Sequence, residues 1–283
     1  MLEHTFCHIP GIGPKFERHL WRSGLDTWDA VCQADPLPAP PRRAEALRHH
    51  IPQSIAHLAD GNPDYFAQHL APSDQWRMFG NFRHSVAYLD IETTGMGGPD
   101  DYITAISLYD GTDIHTYVQG ENLFDFRDDI DRYRLLITYN GKCFDLPFIR
   151  GYFGIPMSQA HIDLRYVLAS LGYRGGLKGC ERQIGLDRAD LADVDGYFAV
   201  LLWWDWHNTG NRRALDTLLA YNILDVVNLE TLMVFAYNRK LQDTPFAAAH
   251  RLPAPEPPAL PFEPDPDLIA RIRQRIGWGS HGA

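Results

Sequence analysis

A chain of 283 residues and 32.2 kDa can hold one large α/β domain with a small appendage, and its 45% hydrophobic and 22% charged residues are ordinary for a globular protein. It has no unbroken run of about eighteen apolar residues, which argues against a membrane span. The opening Met1-Leu2-Glu3-His4-Thr5 lacks the basic and apolar blocks of a secretory signal. The formal net charge of −10 argues against a broad non-specific nucleic-acid coat. It leaves room for a local site, because carboxylates that hold divalent cations turn a negative cluster into a phosphate-binding one. Cys7, Cys32, Cys143 and Cys180 stand far apart with no CxxC pair. That spacing points away from a disulfide framework or zinc site and toward a reducing cytoplasm.

Residues 1–80 read as a small helical domain. Phe16, Leu20 and Trp21 keep helical spacing, and so do Trp28 and Val31. The proline-rich stretch 34–41 interrupts them, a more polar helix is expected from Arg43 to about Leu58, and Gly61-Asn62-Pro63 breaks the chain again. Residues 64–80 bridge to the main domain. From Ser85 the period becomes two: Val86, Tyr88, Asp90 and Glu92 leave one face, and Ala87, Leu89 and Ile91 the other. Further strands are expected at 102–109 and 113–118 across the turn Asp110-Gly111-Thr112. A helical piece at 124–130 leads to a strand at 135–139, and helices follow at about 145–153, 164–171, 177–184, 195–206 and 212–238. A three-strand meander, then a strand alternating with helices, is the order of a ribonuclease-H-like α/β fold, a mixed sheet flanked by helices, over residues 81–242. Residues 243–283 form a proline-rich linker and a short helix at 267–278, with Leu268, Ile269, Ile272 and Ile276 at helical spacing. That helix docks back on the chain or onto a protein partner.

Several acids fit folding alone poorly. Asp90 and Glu92 leave one strand face about 7 Å apart among apolar neighbours, so each raises the other's pKa, a penalty that a bound cation removes. The competing reading is a solvated strand face ended by a Thr93-Thr94-Gly95 turn. Asp225 interrupts the helical stripe Leu218, Tyr221, Leu229 and Leu232. An unpaired charge there is expensive, so it calls for a cation, or for a backbone group or an arginine as donor. Tyr221 lies one turn earlier and points to the same place. Asp145 follows a strand and opens a helix with Pro147 in its first turn, where an N-cap is the ordinary reading. Asn140-Gly141 ends that strand sharply, and a buried Phe144 would turn Asp145 toward the cleft.

Three short stretches carry a resemblance. Leu89-Asp90-Ile91-Glu92-Thr93-Thr94-Gly95, Asn140-Gly141-Lys142-Cys143-Phe144-Asp145 and Tyr221-Asn222-Ile223-Leu224-Asp225 resemble the Exo I, Exo II and Exo III motifs of the DEDD exonuclease superfamily, the last in its DEDDy form. The first two also resemble the proofreading domains of family B DNA polymerases. Over roughly residues 81–240 the chain is similar to the bacterial YprB-like group of ribonuclease-H-like proteins. That similarity includes His161-Ile162-Asp163-Leu164, Gly176-Leu177-Lys178 with Glu181, and Leu219-Ala220-Tyr221-Asn222 running into Asp225-Val226-Val227.

The resemblance implies a metal-dependent 3′–5′ exonuclease acting on single-stranded DNA or RNA ends. Asp90, Glu92 and Asp225 would ligate one ion, and Asp90 would bridge to a second held largely through water by Asp145. Both ions would be Mg²⁺ or Mn²⁺, since all-oxygen ligation suits hard cations. Tyr221 would orient, or help deprotonate, the attacking water, and an ordinary phenol pKa of about 10 favours orientation. Thr93, Thr94, Asn140, Phe144 and Lys178 form the implied substrate-facing set, with Arg182 beside them. Against this, Thr93 and Thr94 also suit a plain turn, Asn140 a strand–helix corner, and Lys178 and Arg182 a solvated surface. Asp163 reads as a helix cap or supporting group, and the histidines show no ligand spacing. A structure-specific endonuclease would use the same chemistry. A non-catalytic nucleic-acid-binding or scaffold protein would not need paired carboxylates. Near the N-terminus, Ile9-Pro10-Gly11-Ile12-Gly13-Pro14-Lys15-Phe16, followed by His19-Leu20 and Gly24-Leu25, resembles a helix-hairpin-helix element. It implies DNA contact through Gly11, Gly13 and Lys15, although single copies also serve packing.

Overall fold

A computed structural model describes residues 1–275. Ile276 and Trp278 of the expected C-terminal helix lie outside the described residues. Helices α1 (Pro14–Arg22), α2 (Trp28–Gln33), α3 (Pro41–Ala59), α4 (Pro63–His69) and α5 (Phe79–Phe82) precede the sheet. The stretch with period two becomes β1 (Val86–Thr93), followed by β2 (Ile103–Tyr109) and β3 (Ile114–Val118). The short α6 (Phe126–Asp129), β4 (Leu135–Thr138), α7 (Asp145–Phe153) and β5 (Ala160–Asp163) come next. The chain then runs through α8 (Leu164–Ser170), α9 (Gly176–Ile184), α10 (Gly196–Thr209), α11 (Arg212–Leu241), α12 (Ala247–His250) and α13 (Pro266–Arg275).

The sheet order is β3-β2-β1-β4-β5. β1 pairs antiparallel with β2 and parallel with β4, so the meander and the alternating half meet at β1. This mixed sheet with helices on both faces is the ribonuclease-H-like arrangement expected from the element order. The fifth strand is a correction. Ala160-His161-Ile162-Asp163 is too short to show a period, and it becomes a strand by pairing with β4.

Alternation along β1 separates two buried clusters. Ala87, Leu89 and Ile91 pack with Phe126 of α6 and Leu146, Ile149 and Phe153 of α7. Val86 and Tyr88 face the larger cluster, which contains the α11 residues Leu218, Val226 and Leu229. Asp90 and Glu92, in phase with Val86 and Tyr88, therefore leave the sheet on the α11 side. The α11 helix has an 18-residue window with mean hydropathy 1.5, enough by length and composition to cross a membrane, yet 83% of that window is buried inside the protein. Its apolar character serves core packing on nearly all sides.

The same cluster runs on through Met1, Phe6, Trp28, Phe66 and Trp76, past the expected boundary near residue 80. A buried ion pair reinforces the join. Glu17 of α1 accepts from the backbone N–H groups of Phe6 and Cys7 and, at 2.9 Å each, from Nη1 and Nη2 of Arg77, which stands just before α5. At the other end, Leu252 and Asn238 exchange two hydrogen bonds, and α13 buries Leu268, Ile269 and Ile272 against the body of the chain. Glu17→Ala would leave Arg77 charged and buried without its partner. Urea denaturation should show a loss of ~3–5 kcal/mol, with Glu17→Gln in between. An unchanged midpoint for Glu17→Ala would deny the pair this role.

Candidate metal centre

β1 and α11 build the centre between them. Asp90 and Glu92 project from the end of β1, where the register with β2 shifts between Glu92 and Thr93. Asp225 comes from the middle of α11, 5% exposed, and faces them across the sheet–helix interface. One carboxylate oxygen from each of Asp90, Glu92 and Asp225 lies within 4.8 Å of the other two. Asn222, one turn earlier on α11, donates from Nδ2 to Asp90 Oδ2 at 2.7 Å, which fixes the orientation of that carboxylate. Among the described residues Asn222 Oδ1 is buried with no partner.

Asp145 joins them differently from the sequence expectation. Phe144 holds the N-cap position of α7, and Asp145 is the first helical residue. Instead of capping its own helix, the Asp145 carboxylate accepts from Ile91 N of β1 at 3.3 Å. That bond ties the start of α7 to the strand that carries Asp90 and Glu92. Phe144 is half-buried and packs against Phe148, with ring centroids 5.8 Å apart.

Crowding of like charge with little water is visible in every carboxyl. Desolvation, then the charges of Asp145, Asp225 and Glu92, holds Asp90 well above the usual carboxylate range. Desolvation, then Asp225 and Asp145, does the same to Glu92, against the opposite pull of Lys178 and Arg188. Burial lifts Asp145 to about 7 and Asp225 to about 6, even though hydrogen bonds or an arginine favour the charged form of each. An all-oxygen, negatively charged and convergent donor set is what a hard divalent cation requires, so these residues fit Mg²⁺ or Mn²⁺.

The side chain that the sequence did not single out is Arg188, on the segment between α9 and α10. It pairs with Glu181 through Nε at 2.5 Å and Nη2 at 2.8 Å, and Nη2 also donates to Asp225 Oδ1. The arginine alternative for Asp225 is thus realised, alongside the convergence with Asp90 and Glu92. Nothing in local spacing marks Arg188, because its partners lie seven and thirty-seven residues away. The next residue, Ala189, has φ +45°, an unfavourable value for a non-glycine residue that the surrounding packing must hold.

Tyr221 converges with the acids, as its helical phase implies. Two cations approach its ring, Lys178 Nζ at 5.1 Å from the centroid and Arg188 Cζ at 5.7 Å. Burial, reinforced by Asp225, Glu92 and Asp90, raises the phenol far above its ordinary value. Burial also lowers the pKa of Lys178, with the charge of Arg188 acting in the same direction. Arg182 is exposed.

Other expected residues are engaged locally. Thr93 Oγ1 donates to Gly95 O at 2.6 Å, and Thr94 Oγ1 accepts from Tyr102 N at 3.0 Å, so both hydroxyls stabilise the loop after β1. Asn140 takes φ +68° at the end of β4; its N–H donates to Asp163, and its Oδ1 accepts from Arg165. Asp163 caps α8 through Arg165 N and also accepts from Lys142 N, in line with the cap reading. Gly11 (φ +80°) and Gly13, the N-cap of α1, form the turn before α1, and Lys15 is exposed beside it. Ahead of that turn stands a single 3-10 turn, Leu2–His4. These N-terminal residues lie outside the acidic cluster.

A family model described as the RNase_H superfamily matches residues 87–237, more than half of the chain. The chain belongs to the RNase H superfamily. Comparison with curated proteins found no match. Among solved structures, the family B DNA polymerase of the hyperthermophilic archaeon Pyrobaculum calidifontis aligns at 16% identity with a TM-score of 0.42. That alignment covers 56% of this chain and 24% of the polymerase, so this RNase H superfamily chain spans about a quarter of the polymerase's length.

The raised carboxyls define a pH dependence. Their folded pKa values stand above the unfolded ones, so the metal-free fold keeps this contribution to stability below about pH 4. It loses the contribution as pH rises through about 6 for Asp225 and about 7 for Asp145. Mn²⁺ should reverse the trend. At about pH 7.5, a hundredfold excess over Kd stabilises by ~2.7 kcal/mol, a rise in Tm of roughly 4–5 °C for a chain of this length. The rise should shrink toward pH 5.5, where protons compete, and nearly vanish in Asp225→Asn. A Tm indifferent to Mn²⁺ at the higher pH in scanning fluorimetry would rule the centre out.

Proposed function

We propose that this protein is a metal-dependent nuclease that hydrolyses phosphodiester bonds at the 3′ ends of single-stranded DNA or RNA. The observation that carries the reading is the meeting of Asp90, Glu92 and Asp225 within 4.8 Å, with Asp145 bonded to the same strand. Membership of the RNase H superfamily agrees with it, since nucleases of this kind generally use divalent metals. The 3′–5′ direction rests on the resemblance of the three motifs to the DEDDy exonucleases.

Asp90, Glu92 and Asp225 would hold one Mg²⁺ or Mn²⁺, and Asp90 with Asp145 a second. When bound, the ions supply a nucleophile at neutral pH and charge stabilisation on both sides of the scissile phosphate. The chain's own residues do the rest. Asn222 keeps Asp90 oriented. Tyr221, its pKa raised by burial and by three carboxylates, keeps its proton at neutral pH. It therefore acts as a hydrogen-bonding post that positions the attacking water, and it is unsuited to removing the proton. Lys178, with its Nζ 5.1 Å from the centre of the Tyr221 ring, would offer an ammonium to a phosphate oxygen of the substrate.

Digestion of 5′-labelled single-stranded DNA and RNA oligonucleotides with Mg²⁺ or Mn²⁺ tests the proposal. The expected product is a ladder shortened from the 3′ end, with a 3′-blocked strand resistant and circles uncut. Tyr221→Phe should lower kcat about 100-fold through loss of positioning, and Asp225→Asn should abolish shortening. Cleavage of circles would instead assign an endonuclease. Shortening that survives Asp225→Asn would place the activity elsewhere.

A further inference from the structure

The Arg188 guanidinium is tied more elaborately than a packing residue needs. Its side chain is 4% exposed and that of Glu181 is 1% exposed, so both charges are nearly dry. Glu181 grips Nε and Nη2 together and is itself held by Asn228, whose Nδ2 donates to Glu181 Oε1 at 2.8 Å. With that fork fixed, Nη2 is left to donate to Asp225 Oδ1. Asn228, Asp225 and Tyr221 occupy successive turns of one α11 face; the Arg188 guanidinium bonds to Asp225 and lies 5.7 Å from the centre of the Tyr221 ring, and it is linked to Asn228 through Glu181. Among the described residues, Arg188 Nη1 is buried without a partner, so the fork is not arranged to satisfy its own donors.

A strut between α9 and α11 would be complete with Glu181 and Asn228. The additional bond to Asp225 reaches the one acid of the cluster that comes from the middle of a helix, away from β1 and from the start of α7. Asp90 has Asn222 to orient it and Asp145 has Ile91 N; Arg188 is the corresponding partner of Asp225.

We propose that Arg188 is a positioning residue. Anchored by Glu181 and Asn228, it holds the Asp225 carboxylate in the orientation that faces Asp90 and Glu92, so the cation site is already formed before the ion arrives. The proposal rests on the reading of these acids as metal ligands. Partners that orient ligand groups typically change metal affinity or activity by about 10–100-fold when removed. Arginine suits the task because its planar fork serves Glu181 and Asp225 at once and does not lose its charge. Lysine offers charge without the fork.

The test compares the unmodified chain, Glu181→Gln/Arg188→Gln and Arg188→Lys. The double substitution removes one charge of each sign, so Glu181 is not left as a buried charge without its arginine. Mn²⁺ affinity is measured by calorimetry without nucleic acid, and kcat and KM on a single-stranded oligonucleotide separately. Both variants, folded by circular dichroism, should bind Mn²⁺ about 10–100-fold more weakly, with kcat reduced and KM for the oligonucleotide little changed. Wild-type Mn²⁺ affinity in the double variant would reduce Arg188 to a strut and overturn the proposal. Tighter binding would make Arg188 a cation competing for the ion's place, which overturns the proposal equally. Full recovery by Arg188→Lys would show that charge alone suffices, against positioning by the fork. Should the double variant not fold, the Arg188→Lys affinity decides alone. A wild type with no Asp90-dependent Mn²⁺ binding would overturn the metal reading itself, which separates that failure from this one.

Discussion

Four carboxyls crowded at the end of one strand, with little water to screen them, set the constraint around which this molecule is arranged. A chain under selection for stability alone would not bring Asp90, Glu92 and Asp225 within 4.8 Å of one another in a largely buried pocket. Each carboxyl is pushed upward, so the cluster is a local weakness of the metal-free fold at neutral pH. The rest of the structure supports that weakness from outside. The two buried clusters on either side of β1 hold the strand rigid, and α11 is encased along almost its whole length.

The support is specific as well as bulky. Each acid apart from Glu92 has a partner from another element that fixes its direction: Asn222 for Asp90, Ile91 N for Asp145 and Arg188 for Asp225. Such partners shift a ligand group's orientation by less than any change of fold would, yet they decide whether oxygens converge or diverge. The cost appears nearby. Ala189 sits at φ +45°, and the donors and acceptors at Arg188 Nη1 and Asn222 Oδ1 are left without partners among the described residues. Strain and unpaired polar groups gathered at one place are common where a site, and not the fold, dictates geometry.

The N-terminal helices extend the same body. Their apolar residues continue the α11 cluster, and the buried Glu17–Arg77 pair ties α1 to the approach to β1. Glu17 thereby commits one face of α1 to packing, leaving Lys15 and Arg18 on its exposed side.

Much of this was legible in the residues. The alternation of Val86, Tyr88, Asp90 and Glu92 against Ala87, Leu89 and Ile91 assigned faces to β1 correctly, because strand phase is a property of the strand itself. The stripe Leu218, Tyr221, Asp225 and Leu229 likewise told which side of α11 the acid leaves, because helical phase is local. What stayed hidden depended on contacts between distant segments. β5 exists because β4 offers it a partner, Asp145 turns to Ile91 N because β1 passes its helix start, and Arg188 meets Asp225 because the segment after α9 folds across α11. Sequence by itself determined residue types, periods and the faces they define, since those follow from local backbone geometry. Only the tertiary structure decided which side chains meet and which charge answers which, since that is set by chain segments far apart in order and adjacent in space.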